Sequence, residues 1–327
     1  MPPIIQVKGL TKDFNGFLAV DQVSFAVQPG EVFGFLGPNG AGKTTTVRML
    51  CTLTRPSAGQ AEIAGHDIVR EHNQVRKSIG IIFQDPSLDD RLTARENLWF
   101  HATVYQVPKS EVRQRIADAL RWMELDDRAD DLVRNYSGGM KRRLEVARGL
   151  LHEPYVFFLD EPTLGLDPQT RNRIWERLLT LRRSRNMTLF LTTHYMDEAE
   201  YCDRIAIIDH GRIVALDTPK RLKENVQGDC VRLSTGDNTR AAAELRERYR
   251  LEVVREKTLL RFEVRNGAEF VPKLVRELPV PVLAVSVHPP TLEDVFLKLT
   301  GREIRDVEAS ERDRLRTRLR RVGRAWR

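Results

Sequence analysis

The segment GPNGAGKT, residues 37–44, constrains the fold of this chain more than any other feature. It fits the pattern G-x-x-x-x-G-K-[ST], and it lies between the strand-like run VFGFL and a helical stretch that begins TTTVRM. Backbone N–H groups of such a loop converge on phosphate oxygens, and the helix N-terminus adds the positive end of its dipole. The motif therefore predicts a strand–loop–helix unit that binds phosphate, with Lys43 on the β and γ phosphates and Thr44 on Mg²⁺. The predicted binding residues of the loop are Gly37, Pro38, Asn39, Gly40, Ala41, Gly42, Lys43, Thr44 and Thr45.

Further strand-like runs indicate a parallel α/β sheet around this loop. YVFFLD, MTLFLTTH and RIAIIDHGRIVAL are apolar, and helical segments separate them. From Leu92 to Leu132 apolar residues recur at steps of three and four, which is typical of helices. We expect a first domain over residues 1–222 that contains a helical subdomain at about 88–150.

The run VFFLDEP, residues 156–162, ends in two adjacent acids. A strand that delivers Asp160 to the carboxyl edge of the sheet can hold Mg²⁺ or its water, and Glu161 can polarise an attacking water. The alternative for this pair alone is a strand that ends in solvated acids. The neighbouring phosphate loop favours the catalytic interpretation.

The C-terminal third predicts a second, smaller domain. Strand-like and helical runs follow in the order β, α, β, β, α, β, which is the order of a ferredoxin-like α+β unit. We place this domain at residues 223–301 and an Arg-rich tail at 302–327.

Length and composition agree with a two-domain intracellular protein. The 327 residues suggest two domains, and the three cysteines, Cys51, Cys202 and Cys230, are widely separated and form no disulfide framework. The N-terminus does not fit a secretory signal, and no run is long and apolar enough to span a bilayer. The net charge of +7 lies mostly in residues 302–327, which carry +5, so the body is nearly neutral and does not indicate a nucleic-acid partner.

Four further segments make the sequence resemble the nucleotide-binding subunit of an ABC (ATP-binding cassette) transporter. Gln84 in IIFQD resembles the family's Q-loop, which touches the metal and the membrane partner. YSGGMKRRLEVARGLL, from Tyr136, resembles the signature LSGGQ, with Ser137, Gly138 and Gly139 at its centre. Asp167 in LGLDP resembles the D-loop, and His194 in LFLTTHYMDEAE resembles the switch histidine.

The resemblance implies a P-loop NTPase fold of ABC type with ATP and Mg²⁺ as ligands. Phe14 takes the place of the aromatic residue that stacks on adenine. Glu161, His194, Gln84 and Lys43 would form the catalytic set, and Thr44, Gln84 and Asp160 would hold the metal. Tyr136 and Met140 depart from the usual Leu and Gln of the signature, which puts details of the dimer contact in doubt.

The same resemblance implies two kinds of partner. The signature helix N-terminus is a second anion site, and in this family it caps the γ-phosphate held by another copy, so a head-to-tail dimer follows. A separate transmembrane permease would place the chain on the cytoplasmic side of the cell membrane as a peripheral subunit.

The segment PPTLEDVFLKLTG, residues 289–301, resembles the ending of the daunorubicin-resistance-like, ABC-2 type exporter ATPases. We therefore expect a subunit that powers export, with drug, antibiotic, lipid and glycan open as cargo. The alternatives are a soluble ABC protein acting on nucleic acid or the ribosome, and a regulatory cassette without turnover. The sequence has neither the second cassette nor the long coiled coil of the former, and Glu161 and His194 argue against the latter.

The remaining candidates favour structural roles. We expect the cysteines to be small core residues and the other histidines to lack metal-ligand spacing. Trp99 and Tyr105 are expected to pack inside the helical subdomain, with contact to a membrane partner as the alternative. In the tail, Leu315, Leu319, Val322 and Trp326 share a helical face among arginines, which predicts either an amphipathic helix on anionic lipid or on the partner, or a solvated terminus.

Overall fold

The computed structural model describes residues 2–84, 87–226, 228–256 and 258–301. The chain divides into two units, Met1–Leu216 and Asp217–Arg327. The predicted amphipathic helix of the tail lies outside the described residues.

The first unit contains ten strands and seven α-helices among the described residues. The strands are β1 (Ile5–Phe14), β2 (Phe17–Val27), β3 (Val32–Leu36), β4 (Ala58–Ile63), β5 (His66–Asp67), β6 (Ile79–Ile82), β7 (Val156–Asp160), β8 (Thr188–Thr193), β9 (Arg204–Asp209) and β10 (Arg212–Asp217). The helices are α1 (Lys43–Leu50), α2 (His72–Ser78), α3 (Ala94–Val104), α4 (Lys109–Trp122), α5 (Gly138–Leu150), α6 (Pro168–Arg185) and α7 (Met196–Ala199).

Two sheets enclose the core of this unit. One has the order β2-β1-β4-β5 and is antiparallel; the other has the order β10-β9-β3-β8-β7-β6, with parallel pairing from β9 to β6. The strands β3, β7 and β8 are buried along their whole length, which explains why their apolar residues follow one another rather than alternating with polar ones. Their buried polar residues are Asp160, Thr188, Thr192 and Thr193. The sheets meet through aromatic rings, since the ring of Phe25 stacks 5.2 Å from that of Phe33.

The prediction of a parallel α/β sheet is confirmed, and two local features differ from it. The N-terminal strands form the separate antiparallel sheet. The run RIAIIDHGRIVAL is the hairpin β9–β10 rather than one strand, because His210 and Gly211 both have positive φ, 46° and 78°, as a tight hairpin turn requires.

The predicted helical segment is divided into α3 and α4. The helix α3 begins at a capping box formed by Thr93 and Glu96, and Pro108 is the N-cap residue of α4. Tyr105 stacks 4.0 Å from His152, so it packs as expected. The prediction for Trp99 was wrong: its side chain is 59% exposed, because it lies on the outer face of α3 with Phe100 and Val104.

The second unit has the predicted ferredoxin-like order. Its elements are α8 (Pro219–Glu224), β11 (Asp229–Thr235), α9 (Asn238–Glu247), β12 (Val254–Glu256), β13 (Leu259–Val264), α10 (Gly267–Glu277), β14 (Val282–His288) and α11 (Leu292–Thr300). The antiparallel sheet has the order β12-β13-β11-β14, so the first and third strands of the βαββαβ unit lie in the centre. Apolar residues of the sheet pack against α9 and α10 and give this unit its own core.

Candidate active site

The Gly-rich loop connects β3 to α1 in a conformation that depends on glycine. Gly42 has a φ of 104°, and a Cβ there would lie 2.5 Å from the carbonyl oxygen of Ala19. A Cβ at Gly37 would lie 2.3 Å from the carbonyl oxygen of Ile208. The loop therefore fits closely against its neighbours, and α1 begins at Lys43 directly after it.

Lys43 brings a buried positive charge to this loop. Its Nζ donates hydrogen bonds to the carbonyl oxygens of Gly37, at 2.8 Å, and Pro38, at 3.0 Å. The same atom lies 3.6 Å from Oε1 of Glu161. The lysine and the strand-end acid thus form an ion pair of which little is exposed.

Asp160 ends β7 and faces the first turn of α1. Its Oδ1 accepts hydrogen bonds from the hydroxyls of Thr192, at 2.5 Å, and Thr44, at 3.3 Å. Burial raises the pKa of Asp160 and outweighs these two hydroxyl donors. A carboxylate and a hydroxyl at this spacing are hard oxygen ligands of the kind that Mg²⁺ prefers.

Glu161 has a left-handed backbone, with a φ of 48°. Its carboxylate, at Oε1, lies 3.2 Å from Nδ1 of His194. Burial acts to raise the pKa of Glu161, but the hydrogen bond from His194 and the charge of Lys43 prevail and hold the pKa below its usual value. Glu161 is therefore ionised at neutral pH, which suits a group that polarises water.

A second buried acid, Glu198, fixes the segments around this pair. It accepts hydrogen bonds from the hydroxyls of Thr163 and Thr193, the latter at 2.5 Å, and the indole N–H of Trp175 lies 3.4 Å away. Thr163 follows Glu161 by two residues and Thr193 precedes His194. Glu198 thus connects the chain segment that carries Glu161 to the segment that carries His194.

The signature and D-loop segments lie side by side on the surface. Ser137 caps α5 by accepting a hydrogen bond from the N–H of Met140, and Asp167 caps α6 by accepting one from the N–H of Thr170. A Cβ at Gly139 would lie 3.1 Å from the Thr170 side chain. Hydrogen bonds from Thr170 lower the pKa of Asp167. Ser137 and Gly138 are exposed, so the N-terminal N–H groups of α5 are accessible from outside.

The structure joins some of the predicted residues and separates others. Lys43, Thr44, Asp160, Glu161 and His194 form one cluster. Phe14 lies at the end of β1 and is 48% exposed, with Nζ of Lys12 4.9 Å from its ring centre. Gln84 is exposed two residues after β6. Within the described parts of the chain, Phe14, Gln84, the signature and Asp167 take no part in the hydrogen bonds given above for the cluster.

Sequence reasoning missed the buried polar residues that support the cluster. They are Arg142, Glu145, Thr192, Thr193 and Glu198. Arg142 stands in a run of three basic residues, and only the structure shows that this member is buried. A partial signal exists for the others, because a threonine or acid within a few residues of a motif residue can reach its backbone or side chain.

A polar cluster in the second unit has a structural explanation. One ligand-type atom from each of Cys230, His288 and Asp294 lies within 4.8 Å of the others. The guanidinium of Arg261 is 3.1 Å from Asp294 and 3.7 Å from Sγ of Cys230. Arg261 therefore already supplies the positive charge that a metal ion would bring, and Asp294 also caps α11 by accepting hydrogen bonds from Thr291. The three cysteines are buried, as expected.

A Gly-rich loop between a parallel strand and a helix, with an acidic pair at the end of another parallel strand two positions away in the same sheet, defines the P-loop class of nucleotide-binding proteins. Within this class, the family model "ABC transporter" matches residues 20–164. The Nod factor export ATP-binding protein I of Ralstonia nicotianae is 41% identical over 93% of this chain and 96% of its own length. The daunorubicin/doxorubicin resistance ATP-binding protein of Streptomyces peucetius is 40% identical over 94% of this chain and 95% of its own.

Solved structures agree with this assignment. An ATP-binding subunit of an ABC transporter superposes with a TM-score of 0.63 at 30% identity, over 68% of this chain and 92% of that one. A dimeric ATP-binding cassette in a post-hydrolysis state, bound to ADP and Pi, gives a TM-score of 0.60 at 26% identity, over 65% of this chain and 98% of that one. The chain belongs to the ABC transporter family. It is an ATP-binding subunit of that family and an ATPase.

Proposed function

We propose that this chain hydrolyses ATP at two composite sites formed with a second copy of itself, and that this cycle powers export through a separate transmembrane permease. The observation that carries the proposal is the cluster beside the Gly-rich loop, in which Glu161 lies 3.6 Å from Lys43 and 3.2 Å from His194. Hydrolysis of the γ-phosphate needs a loop that binds the phosphates, an ionised acid that polarises water and a histidine next to that acid.

Each residue has a defined task in this proposal. Lys43 and the loop N–H groups bind the β and γ phosphates, which requires Lys43 to exchange its carbonyl partners for phosphate oxygens. Thr44, Asp160 and Gln84 would hold Mg²⁺, which neutralises charge on the phosphates. Glu161 orients and polarises the attacking water, and His194 holds that carboxylate in place while it contacts the γ-phosphate. Phe14 stacks on the adenine.

The exposed signature supports a dimer. Ser137, Gly138 and Gly139 open a helix whose free N–H groups are an anion site, and they face outward beside Asp167. A second copy in a head-to-tail arrangement would bring this site onto the γ-phosphate bound by the first. Closure around ATP and reopening after hydrolysis then alternate because the γ-phosphate contacts exist in only one state.

The relatives and one exposed surface support export and a position at the membrane. The relatives named above are ATP-binding proteins of Nod factor export and of daunorubicin/doxorubicin resistance. The exposed apolar residues Trp99, Phe100 and Val104 of α3 offer a contact face for a membrane partner. None of the helices within the described ranges has the length and apolar character to cross a membrane. We place the chain at the cytoplasmic side of the membrane, held by the permease and by its Arg-rich tail.

Complementation between two inactive chains tests the composite site. Lys43→Ala removes the phosphate-binding lysine, and Ser137→Arg blocks the signature. A heterodimer of the two has one site with both parts intact, so co-expressed chains with different tags should regain hydrolysis in a single turnover, whereas each homodimer should not. Full activity of the Ser137→Arg homodimer, or no product from the heterodimer, would contradict the arrangement.

A further inference from the structure

The signature helix α5 carries a buried ion pair one turn beyond its start. Arg142 is 7% exposed and Glu145 is fully buried, and Nη1 of Arg142 lies 3.0 Å from Oε2 of Glu145. Buried charges of this kind are retained only when their hydrogen bonds are satisfied. The acceptors that satisfy Arg142 lie on the segments that carry the catalytic residues.

The guanidinium of Arg142 uses all five of its N–H donors. Besides the bond to Glu145, its Nε donates to the carbonyl oxygen of Pro162 at 2.6 Å and its Nη1 to that of Phe83 at 2.6 Å. Its Nη2 donates to the carbonyl oxygens of Glu161 at 2.9 Å and Asp160 at 3.3 Å. A planar fork with five donors can hold five acceptors in one geometry, which no other side chain can do.

Three of these acceptors are consecutive carbonyls that flank the side chain of Glu161. This residue has a φ of 48°, a left-handed conformation that side chains other than glycine rarely adopt. Such a conformation persists when surrounding contacts over-determine it. The carbonyls of Asp160, Glu161 and Pro162 are bound to one guanidinium, so Arg142 supplies that constraint from the opposite side of the turn.

The remaining contacts reach the two flanks of Gln84. Arg142 binds the carbonyl of Phe83, and Oε1 of Glu145 accepts a hydrogen bond from the N–H of Ser87 at 2.9 Å. Arg148, one turn further along α5, donates to the carbonyl oxygen of Ser87 at 2.5 Å. The helix that begins with the signature therefore holds the chain on both sides of Gln84.

We propose that Arg142 and Glu145 are positioning residues that connect the signature helix to the segments bearing Glu161 and Gln84. A shift of α5 at its exposed N-terminus is transmitted through the ion pair to the left-handed turn at Glu161. The pair fixes where the carboxylate of Glu161 stands relative to Lys43 and His194, and it leaves the nucleotide-binding loop untouched. This inference rests on the proposed role of Glu161.

The test separates turnover from nucleotide binding. In Arg142→Met/Glu145→Leu, a neutral pair of similar volume replaces the ion pair, so neither charge is left buried without its partner. Four backbone carbonyls lose their donor in this variant, so we expect a lower Tm. We also expect a kcat at least about tenfold lower, with the ATP Kd of the folded protein within about threefold of wild type. Arg143→Met is the matched control, because Arg143 donates instead to the carbonyls of Met123 and Glu124 and should keep kcat.

Two further measurements keep the proposal open to refutation. Arg142→Lys retains the charge but cannot bind five acceptors, so its kcat should be clearly lower than that of wild type. This comparison needs only the wild type and can be made even if the double variant does not fold. In the Glu161→Gln background, Arg142→Lys should cause little further loss, since it acts through the missing carboxylate. A wild-type kcat for Arg142→Lys, or an equal fold-loss in both backgrounds, would overturn the inference. High turnover in Glu161→Gln alone would instead refute the proposed function.

Discussion

At the scale of single residues, the site depends on the different environments of its two adjacent acids, which shift their pKa values in opposite directions. Both lie at the end of β7, but Asp160 is bound by two hydroxyls and burial raises its pKa, whereas Glu161 is paired with Lys43 and His194 and its pKa is lowered. The left-handed turn at Glu161 directs the two side chains to different partners. Opposite environments for adjacent acids are a basis for different chemical roles.

The substitution Glu161→Gln, which replaces the carboxylate with a near-isosteric amide, tests the role of Glu161 in hydrolysis. Glu161→Gln should keep ATP affinity and lower hydrolysis by roughly 10² or more, because an amide cannot accept a proton from water. The variant should also accumulate as an ATP-bound dimer on size-exclusion chromatography. Glu176→Gln, on the exposed face of α6, is the control and should turn over normally. Turnover near wild type in Glu161→Gln would remove this residue from the role.

The buried carboxylate of Asp160 should lower the stability of the fold at neutral pH, although hydrolysis requires it. Its raised pKa means that the fold favours the protonated form, so the stabilising contribution of that form is present at low pH and is lost as pH rises through the folded pKa. Asp160→Asn should therefore raise Tm at pH 7.5, because the neutral amide avoids the cost of burying a charge, while hydrolysis is lost. The gain should shrink as pH falls towards 5, whereas exposed Asp127→Asn should leave Tm unchanged at both pH values. A lower Tm for Asp160→Asn at pH 7.5 would contradict the prediction.

At the scale of elements, the sequence identifies what is local and leaves out what is brought together by packing. The Gly-rich loop, the acids after VFFL and the histidine after LFLTT could each be found, because a strand end places its next residues at the same edge of a parallel sheet. The capping box at Thr93 and the hairpin turn at His210–Gly211 are also local, although neither was predicted from the sequence. The contacts of Arg142 with Pro162 and of Glu198 with Thr163 could not be predicted, because these partners lie 20 and 35 residues away along the chain and the burial of both side chains depends on the complete fold.

The contact of α5 with the parallel sheet gives a prediction for this element. A Cβ at Gly149 would lie 2.6 Å from Cε2 of Phe157, a ring that is fully buried in β7. Gly149→Ala should therefore destabilise the fold by about 1–2 kcal/mol, since overpacking outweighs the gain in helix propensity.

Gly138→Ala, in the first turn of the same helix, is the matched control. A Cβ there meets nothing within 4 Å, so the free energy of unfolding should be unchanged or slightly higher. Urea unfolding without nucleotide measures both variants. A Gly149→Ala protein as stable as wild type would show that α5 can move away from Phe157 at little cost.

At the scale of the whole molecule, the chain separates an almost neutral body from a basic terminus. Residues 302–327 carry +5 of the total +7, so any attraction to an anionic surface concentrates there. The ferredoxin-like unit ends at the capping glycine Gly301, where α11 stops. A truncation after Gly301 therefore removes the charge without cutting into a described helix or strand.

The chain that ends at Gly301 should retain ATPase activity in solution and lose binding to anionic vesicles. In the full chain, the apolar face of the tail would enter the lipid interface; it consists of Leu315, Leu319, Val322 and Trp326. The surrounding arginines would face the headgroups, and each arginine would add about 1 kcal/mol at most to the binding free energy. Co-sedimentation measures this binding with two kinds of vesicle, one of phosphatidylglycerol and phosphatidylcholine and one of phosphatidylcholine alone. The full chain should bind the anionic vesicles more strongly, and added salt should weaken that binding. Leu315→Ser/Leu319→Ser keeps every charge and should bind less than wild type but more than the truncated chain. Equal vesicle binding by the full and truncated chains would mean that the tail is a solvated terminus with no part in membrane attachment.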